Sequence, residues 1–341
     1  MDVPSSNLQT LVSEVFAKLS QDNKFAVAVL GDLILDDSIH ADHGGIHPET
    51  GVPLLKNASS QQSIGGAGNI ALALSRLGID APLFSIIGTD LPGRLLSETQ
   101  DRLQLQSYLI SSRGWPTPQK RWIYERGQNG DLELIQRIDF DHPVPHEIRK
   151  QLLGEFRAHY KPQTKVFIVA DHGLGTLGSD TCETIALAKE KDAKVVIIPR
   201  TWIEDYQQAD VLVVNPNEMR SLVGLTGKGE AQAAATQFAT KHDVTIFLTL
   251  GSRGLFVCSP KQNIEQLVTT TAFQHAHKMG ARDMVVAIVA VGLALEISVL
   301  EIAQLANVFA SLVVQQHGNG TVTWKDLFRA LRIPQPEPVT S

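Results

Sequence analysis

The sequence predicts an α/β protein: a doubly wound, mostly parallel sheet flanked by helices, with a second, small β-sheet outside it. Short, continuously apolar runs end in glycine and aspartate, as in Phe25 to Leu30 before Gly31-Asp32 and Pro82 to Ile87 before Gly88-Thr89-Asp90. Strands buried on both faces read this way. From Pro145 onward such runs alternate with helical segments, the rhythm of parallel strands joined by crossover helices. Between Gln104 and Asp141 the pattern changes to extended segments separated by Gly, Pro and Asn turns, which sets a small sheet apart.

Ser6-Asn7 followed by Leu8, Leu11, Val12, Val15, Phe16 and Leu19 is a capped amphipathic helix, free to pack on the body or on a partner. After the first strand, 39–63 is rich in Gly, His and Pro and reads as an excursion with only short extended pieces such as Val52-Pro53-Leu54-Leu55. Gly65-Gly66-Ala67-Gly68-Asn69 opens an apolar helix, Ile70 to Leu77, stopped by Gly78. Leu91 to Leu103 is a further helix. Ser107 to Ser111, Gln119 to Tyr124 and Leu132 to Ile138 are the extended segments of the small sheet, together with pieces of 37–63.

Helices are predicted to about Tyr160 and over 179–189, 218–223 and 230–242, with strands at 166–170, 195–198, 211–214, 244–249 and 255–258. Three helices, 283–296, 298–315 and 324–331, close the fold. The domain layout is therefore an N-terminal helical extension (1–24), the α/β body (25–332) and a Pro-rich tail (333–341) expected to lack fixed structure.

With 341 residues, 43% hydrophobic and 19% charged, and a formal net charge of -6, the chain has the balance of an ordinary globular protein. No basic face for nucleic acid is indicated. Cys182 and Cys258 lie far apart without metal-ligand spacing and read as core residues of a reducing compartment. The N-terminal residues show no basic region followed by an apolar core, and the longest apolar run, Met284 to Leu295, is shorter than the roughly 20 residues that span a bilayer. A cytoplasmic location without membrane contact is expected.

Chemistry concentrates at His277-Lys278-Met279-Gly280-Ala281-Arg282-Asp283, where a Gly-Ala turn feeds straight into an apolar helix. Backbone N–H groups at a helix start, with the positive end of the dipole, attract anions, so phosphate chemistry is indicated. Asp283, in the first turn, is placed to act as a base. The plainer reading of Asp283 is a charge partner for the helix terminus.

Taken together, Gly31-Asp32 with Asp36, the 65–69 turn, Asn215-Pro216-Asn217-Glu218, Thr249-Leu250-Gly251-Ser252-Arg253-Gly254 and Gly280-Ala281-Arg282-Asp283 occur in an order that resembles the ribokinase-like (PfkB) carbohydrate kinases. Ile46-His47-Pro48-Glu49-Thr50-Gly51-Val52-Pro53 is similar to a segment of the heptose 7-phosphate kinase half of bifunctional ADP-heptose synthases. The resemblance runs from about Phe25 to Leu331. It implies a sugar or sugar phosphate held by Asp32, Asp36, Gly65, Gly66, Asn69 and Lys120, with Lys120 on a lid formed by about 37–63 and 105–140. It implies a nucleotide side at Asn217, Arg220, Thr249, Gly251, Gly254 and Asn307, and catalysis by Asp283 with the anion-holding turn Gly280, Ala281 and Arg282. ATP and Mg²⁺ are the implied cofactors, and the lid is an implied homodimer interface. No resident metal ligands are indicated.

Four departures bear on activity. The family's Gly-Ala-Gly-Asp is Gly280-Ala281-Arg282-Asp283, and its Asn-x-x-Glu is Asn217-Glu218-Met219-Arg220. The strand ending Asp-Pro-Lys reads Ile198-Pro199-Arg200, and Asp-Tyr-x-Lys-Gly reads Asp171-His172-Gly173-Leu174-Gly175. Two cations, Arg220 and Arg282, are then expected to face one phosphate site. Glu218 is not expected to stand in, because helix neighbours point about 100° apart. Two readings result: an ATP-dependent sugar kinase, or a catalytically reduced homologue that binds sugar as a regulator or assembly partner.

A third reading, an NAD(P)-dependent dehydrogenase, rests on the literal G-x-G-x-x-G of residues 173–178. Against it, the next strand ends without an acidic residue, and a plain strand-to-helix turn explains the glycines. His275 and His277 lack a third ligand and read as loop histidines, and His40, His43 and His47 fall in the lid. Asp36-Asp37 reads as one sugar ligand beside one solvated carboxylate rather than as a catalytic pair.

Overall fold

The computed structural model describes residues 6–21, 26–127, 130–200, 204–225, 230–269, 280–315 and 321–334. In chain order the described elements are α1 (Ser6–Gln21), β1 (Ala26–Gly31), β2 (Leu33–Ile46), β3 (Pro53–Gly66), α2 (Ala67–Arg76), β4 (Leu83–Gly88), α3 (Leu91–Leu103), β5 (Ser107–Ser112), β6 (Gln119–Arg126) and β7 (Leu132–Phe140). Then come α4 (His146–His159), β8 (Thr164–Ala170), α5 (Thr181–Glu190), β9 (Lys194–Ile198), β10 (Val211–Val214), α6 (Pro216–Leu222), α7 (Ala231–His242), β11 (Thr245–Thr249), β12 (Leu255–Ser259), β13 (Ile264–Val268), α8 (Ala281–Ala294), α9 (Val299–Val313) and α10 (Trp324–Leu331).

The main sheet runs β13-β12-β11-β10-β9-β8-β1-β4-β5, parallel from β11 to β5 and antiparallel where β12 and β13 fold back. Every residue of β1 is buried, as its unbroken apolar run requires for a strand covered on both faces. One face carries α1, α2, α8, α9 and α10 over a core with Val27, Val29 and Ile168; the other carries α4, α5 and α7 over Ala28, Leu30 and Phe167. Strand alternation divides the side chains between these two cores. This is the expected doubly wound architecture.

Helix α8 is apolar all round because it lies inside, packed on β8, β9, α2 and α9. Its Gly292 permits the contact with α9, since a Cβ there would stand 2.4 Å from Ile302 Cγ1. Helix α1 joins the same body: Phe16 meets Trp324 and Phe328 edge-on at 5.6 and 5.0 Å between ring centroids, and Gln9 Nε2 donates to the Leu331 carbonyl. No helix among the described residues is long and apolar enough to cross a membrane.

The second sheet, β3-β2-β6-β7, differs from expectation in extent. Residues 39–63, expected as an irregular excursion, lie mostly within two long strands, β2 and β3, 14 residues each and paired antiparallel over most of their length. Most of β3 is exposed, so a continuous, mostly polar run, Lys56 to Ser63, carries it and no apolar period announces it. Strand β5 is the other difference. Instead of joining the small sheet it pairs parallel with β4 at the edge of the main one, where Tyr108 stacks on Phe84 and His159. Strand β13 was not expected; Glu265 and Gln266 interrupt its apolar pattern because it is an edge strand with exposed residues.

Candidate active site

The C-terminal ends of β1, β8, β9 and β10 open onto the start of α8, the crevice where open α/β sheets take ligands. Gly280 begins that helix with φ 78° and, as a glycine, supplies no side-chain cap. The N–H groups of Ala281, Arg282 and Asp283 thus meet the requirement for holding an anion. Lys278, Met279, His275 and His277 lie outside the described residues.

Asn69, in the first turn of α2, donates from Nδ2 to Asp283 Oδ2 at 2.6 Å. Asn69 is 1% exposed, and its Oδ1 is buried without a partner among the described residues, an acceptor left for a ligand hydroxyl. Burial pushes the Asp283 carboxyl above the ordinary aspartate range, against the opposing pull of Asn69, Arg282 and Lys120. A carboxylate made more basic and kept accessible in this way is suited to accepting a proton.

The small sheet supplies the other wall. Asp36 on β2 faces Lys120 on β6 in register, and Trp122 Nε1 donates to Asp36 Oδ1 at 3.1 Å. Gly65 makes room for this carboxylate: a Cβ there would lie 2.1 Å from Asp36 Oδ2. Gly66 takes φ 59°, and a Cβ on it would meet the Asp32 carbonyl at 2.3 Å. Burial lowers the Lys120 ammonium below its usual range, with Asp36 and Asp139 opposing that shift.

Several expectations need correction. Asp37 is not solvated. It points to the opposite face of β2, 2% exposed, and accepts from Arg121 Nε at 2.9 Å and from Gln119 and Ser60. Asp32, expected among the substrate ligands, is fully buried and accepts the N–H groups of His172 and Leu174 on Oδ2 and of Thr176 on Oδ1. The same bonds account for the glycine-rich loop of residues 173–178. Its alternate N–H groups turn inward to Asp32, so they are not presented to a dinucleotide pyrophosphate.

Arg220 and Arg282 do not form the expected pair of free cations. Arg282 Nη1 donates to Glu218 Oε1 at 2.5 Å, while Arg220 Nη2 donates to Asn217 Oδ1 at 2.6 Å. Glu218 does not take the place of the missing carboxylate; it pairs with Arg282 of α8. Glu218 is the third residue of α6, whose capping box turns its side chain back toward the strand end: Oε2 accepts the Asn215 N–H at 2.9 Å, and Oε1 reaches Arg282.

His172 is the residue that sequence reasoning passed over. Its Nε2 is buried without a partner among the described residues, and burial, with the charges of Arg282, Lys120 and Arg200, lowers the imidazole pKa well below its usual range. Arg200 lies across Gly173, where a Cβ would stand 2.8 Å from Arg200 Cγ. Its sequence signals were its position, two residues past a buried strand, and its place in the altered motif Asp171-His172-Gly173-Leu174-Gly175. His40, His43 and His47, on β2 and just after it, have separate contacts: the Tyr124 ring, Glu125 Oε1, and the N–H groups of Glu49 and Thr50.

Asp283, Asn69, Asp36, Lys120, Arg282 and Glu218 form one linked cluster. Residues expected on the nucleotide side lie beyond it: Thr249 Oγ1 donates to the Val214 carbonyl and Asn307 Nδ2 to that of Thr269. Gly251 and Gly254 take φ 62° and 98°, and a Cβ on Gly254 would collide with the Val268 carbonyl at 2.1 Å. Asn217 donates its N–H to Asn215 Oδ1 and stays at the α6 start.

A family model described as pfkB family carbohydrate kinase matches residues 25–326. The chain is 29% identical over 308 residues to Bifunctional protein HldE of Haemophilus influenzae, covering 89% of this chain and 63% of the relative. It is also 29% identical over 318 residues to Bifunctional protein HldE of Coxiella burnetii, covering 90% and 64%. The chain thus spans less than two thirds of the length of these curated relatives. Among solved structures it is similar to ribokinase from Giardia lamblia, with TM-score 0.69, 17% identity and coverage of 90% and 100%. Phosphofructokinase-2 from Escherichia coli in complex with fructose-6-phosphate gives TM-score 0.68, 16% identity and coverage of 90% and 98%, a likeness of fold.

Proposed function

The chain belongs to the pfkB family of carbohydrate kinases, and from that membership we propose that it moves the γ-phosphoryl group of ATP to a hydroxyl of a sugar or sugar phosphate, with a heptose phosphate as the first candidate acceptor. The carrying observation is the Asn69–Asp283 hydrogen bond, which joins the start of α2, beside the Asp36 wall, to a proton acceptor at the uncapped start of α8. In this reading Asp36, Lys120 and the free Asn69 Oδ1 hold the acceptor, and Gly65 and Gly66 let it approach the backbone. Asp283 takes the hydroxyl proton as the oxygen–phosphorus bond forms and the bond to ADP breaks. The N–H groups of Ala281 to Asp283 hold the migrating group. Thr249, Gly251, Gly254, Asn217 and Asn307 are assigned to the nucleotide side.

Kinases of this family generally use ATP with Mg²⁺. The described residues do not fit a divalent ion held by the protein. Glu218 has one oxygen on Arg282 and the other on the Asn215 N–H, and Asp283 is engaged by Asn69. No group of three His, Cys, Asp or Glu residues is arranged for a metal among the described residues.

The small sheet serves as the lid in this proposal. Ile46, Val52, Leu134, Ile135 and Phe140, exposed on or beside its strands, support a homodimer face there. ADP release measured against a panel of hexoses, heptoses and their phosphates tests the function. Stimulation by at least one acceptor is expected, and none across the panel contradicts it.

A further inference from the structure

Arg282 stands one residue before the proposed base, and its guanidinium is held rather than loose. Nη1 donates to Glu218 Oε1 at 2.5 Å, and Glu218 is itself fixed, 7% exposed and tied by Oε2 to the Asn215 N–H. A guanidinium carries five N–H donors in a rigid planar fork, so one donor on Glu218 orients the others. The positive charge of Arg282 pulls down the carboxyl of Asp283, its neighbour in α8, and the imidazole of His172, just past the end of β8. Lys120 acts on the same two groups from the small sheet. Positive charge from side chains is therefore concentrated where a phosphoryl group meets the uncapped start of α8, and the carboxylate best placed to hold a metal is committed to the guanidinium.

From this arrangement we propose that Arg282 is the cation that contacts the transferred phosphoryl group and that Glu218 is its positioning residue, so that nucleotide binding to this chain does not require a divalent ion to bridge it to the protein. The inference rests on the phosphoryl-transfer reading above. Bond making and breaking are unchanged: Arg282 donates hydrogen bonds to phosphoryl oxygens, and the acceptor proton still goes to Asp283. The Nη1 bond to Glu218 stays in place while the remaining guanidinium donors make charge-assisted contacts to phosphate.

Binding of a fluorescent ATP analogue to the full chain, titrated in EDTA and in excess Mg²⁺, tests this. The wild-type Kd is expected to agree within about threefold in the two buffers, and Arg282→Ala to weaken binding in EDTA by about tenfold or more. Arg282→Lys, which keeps the charge without the fork, should recover part of that loss. Glu218→Gln keeps an acceptor for the α6 cap and removes the ion pair; binding should hold or tighten while kcat falls about tenfold. Wild-type binding that needs Mg²⁺, or Arg282→Ala binding like wild type in EDTA, overturns the proposal and leaves the kinase reading standing. Loss of affinity and kcat together in Glu218→Gln, or no change in either, removes Glu218 from the positioning role. Absence of nucleotide binding in both buffers overturns the kinase reading as well.

Discussion

The amide nitrogen of Asn69 lies 2.6 Å from the carboxylate of Asp283, 214 residues further along the chain. This bond ties the first turn of α2, which follows the paired strands of the small sheet, to the first turn of α8, where the backbone can hold an anion. It sets the orientation of the proposed base. Asn69→Ala removes the donor and leaves the carboxylate free to turn. The expected result is a fall in kcat of about 10²-fold with a much smaller change in nucleotide affinity, read from steady-state kinetics.

The pH dependence follows from the direction of the Asp283 shift. Burial holds its carboxyl above the ordinary aspartate range, and Asn69, Arg282 and Lys120 pull it down. The acid limb of kcat/KM should therefore lie above the usual carboxylate range, and Lys120→Met should move it further toward alkaline pH. Stability runs the other way. The folded state binds this proton more tightly than the unfolded chain, so the contribution of Asp283 to stability falls as pH rises from the ordinary value through the raised one. Asp283→Asn should raise Tm at neutral pH relative to wild type, as thermal melts at several pH values will show.

Gly65→Ala tests the acceptor wall. The new Cβ would stand 2.1 Å from Asp36 Oδ2, the end of a side chain that can swing aside, whereas the nearest backbone atom is at 3.4 Å. Folding should survive with a loss of about 1 kcal/mol, measured by denaturant titration. Acceptor KM should rise about tenfold or more, because displacing a ligand carboxylate costs it a charge-assisted hydrogen bond.

Asp32→Asn separates a structural carboxylate from a ligand. Three backbone N–H groups converge on Asp32, and an amide offers one acceptor atom in place of two while turning an NH₂ toward at least one donor. A destabilisation of about 2–4 kcal/mol is expected, measured by chemical denaturation. A residue that only touched substrate would change KM and leave stability alone.

Much of the fold was legible because the main sheet is buried on both faces and its strands read as unbroken apolar runs, β1 and β10 being the clearest cases. The small sheet was readable only in part. Its outer strand β3 is exposed, so nothing apolar marks Lys56 to Gln62, and β5 was misassigned because Tyr108 and Leu109 look alike at the edge of either sheet. At the site, the Gly-Ala turn, Asp283 and Asn69 were visible as motifs. The partner of Arg282 was not, since a contact across 64 residues depends on how α6 and α8 are set on the sheet. Asp32 was misread for the same reason: its sequence position gives a strand end, and only the folded loop shows that His172, Leu174 and Thr176 close over it.

In the proposed reaction Asp283 accepts the acceptor hydroxyl proton during phosphoryl transfer. Single-turnover transfer of the labelled γ-phosphoryl group from ATP to the best acceptor, in wild type and in Asp283→Asn, measures this step directly. Label should pass to the sugar in wild type and fall by about 10³-fold or more in the variant, with nucleotide affinity retained. Equal transfer by both proteins, or no transfer by the wild-type chain to any acceptor that it binds, would contradict it.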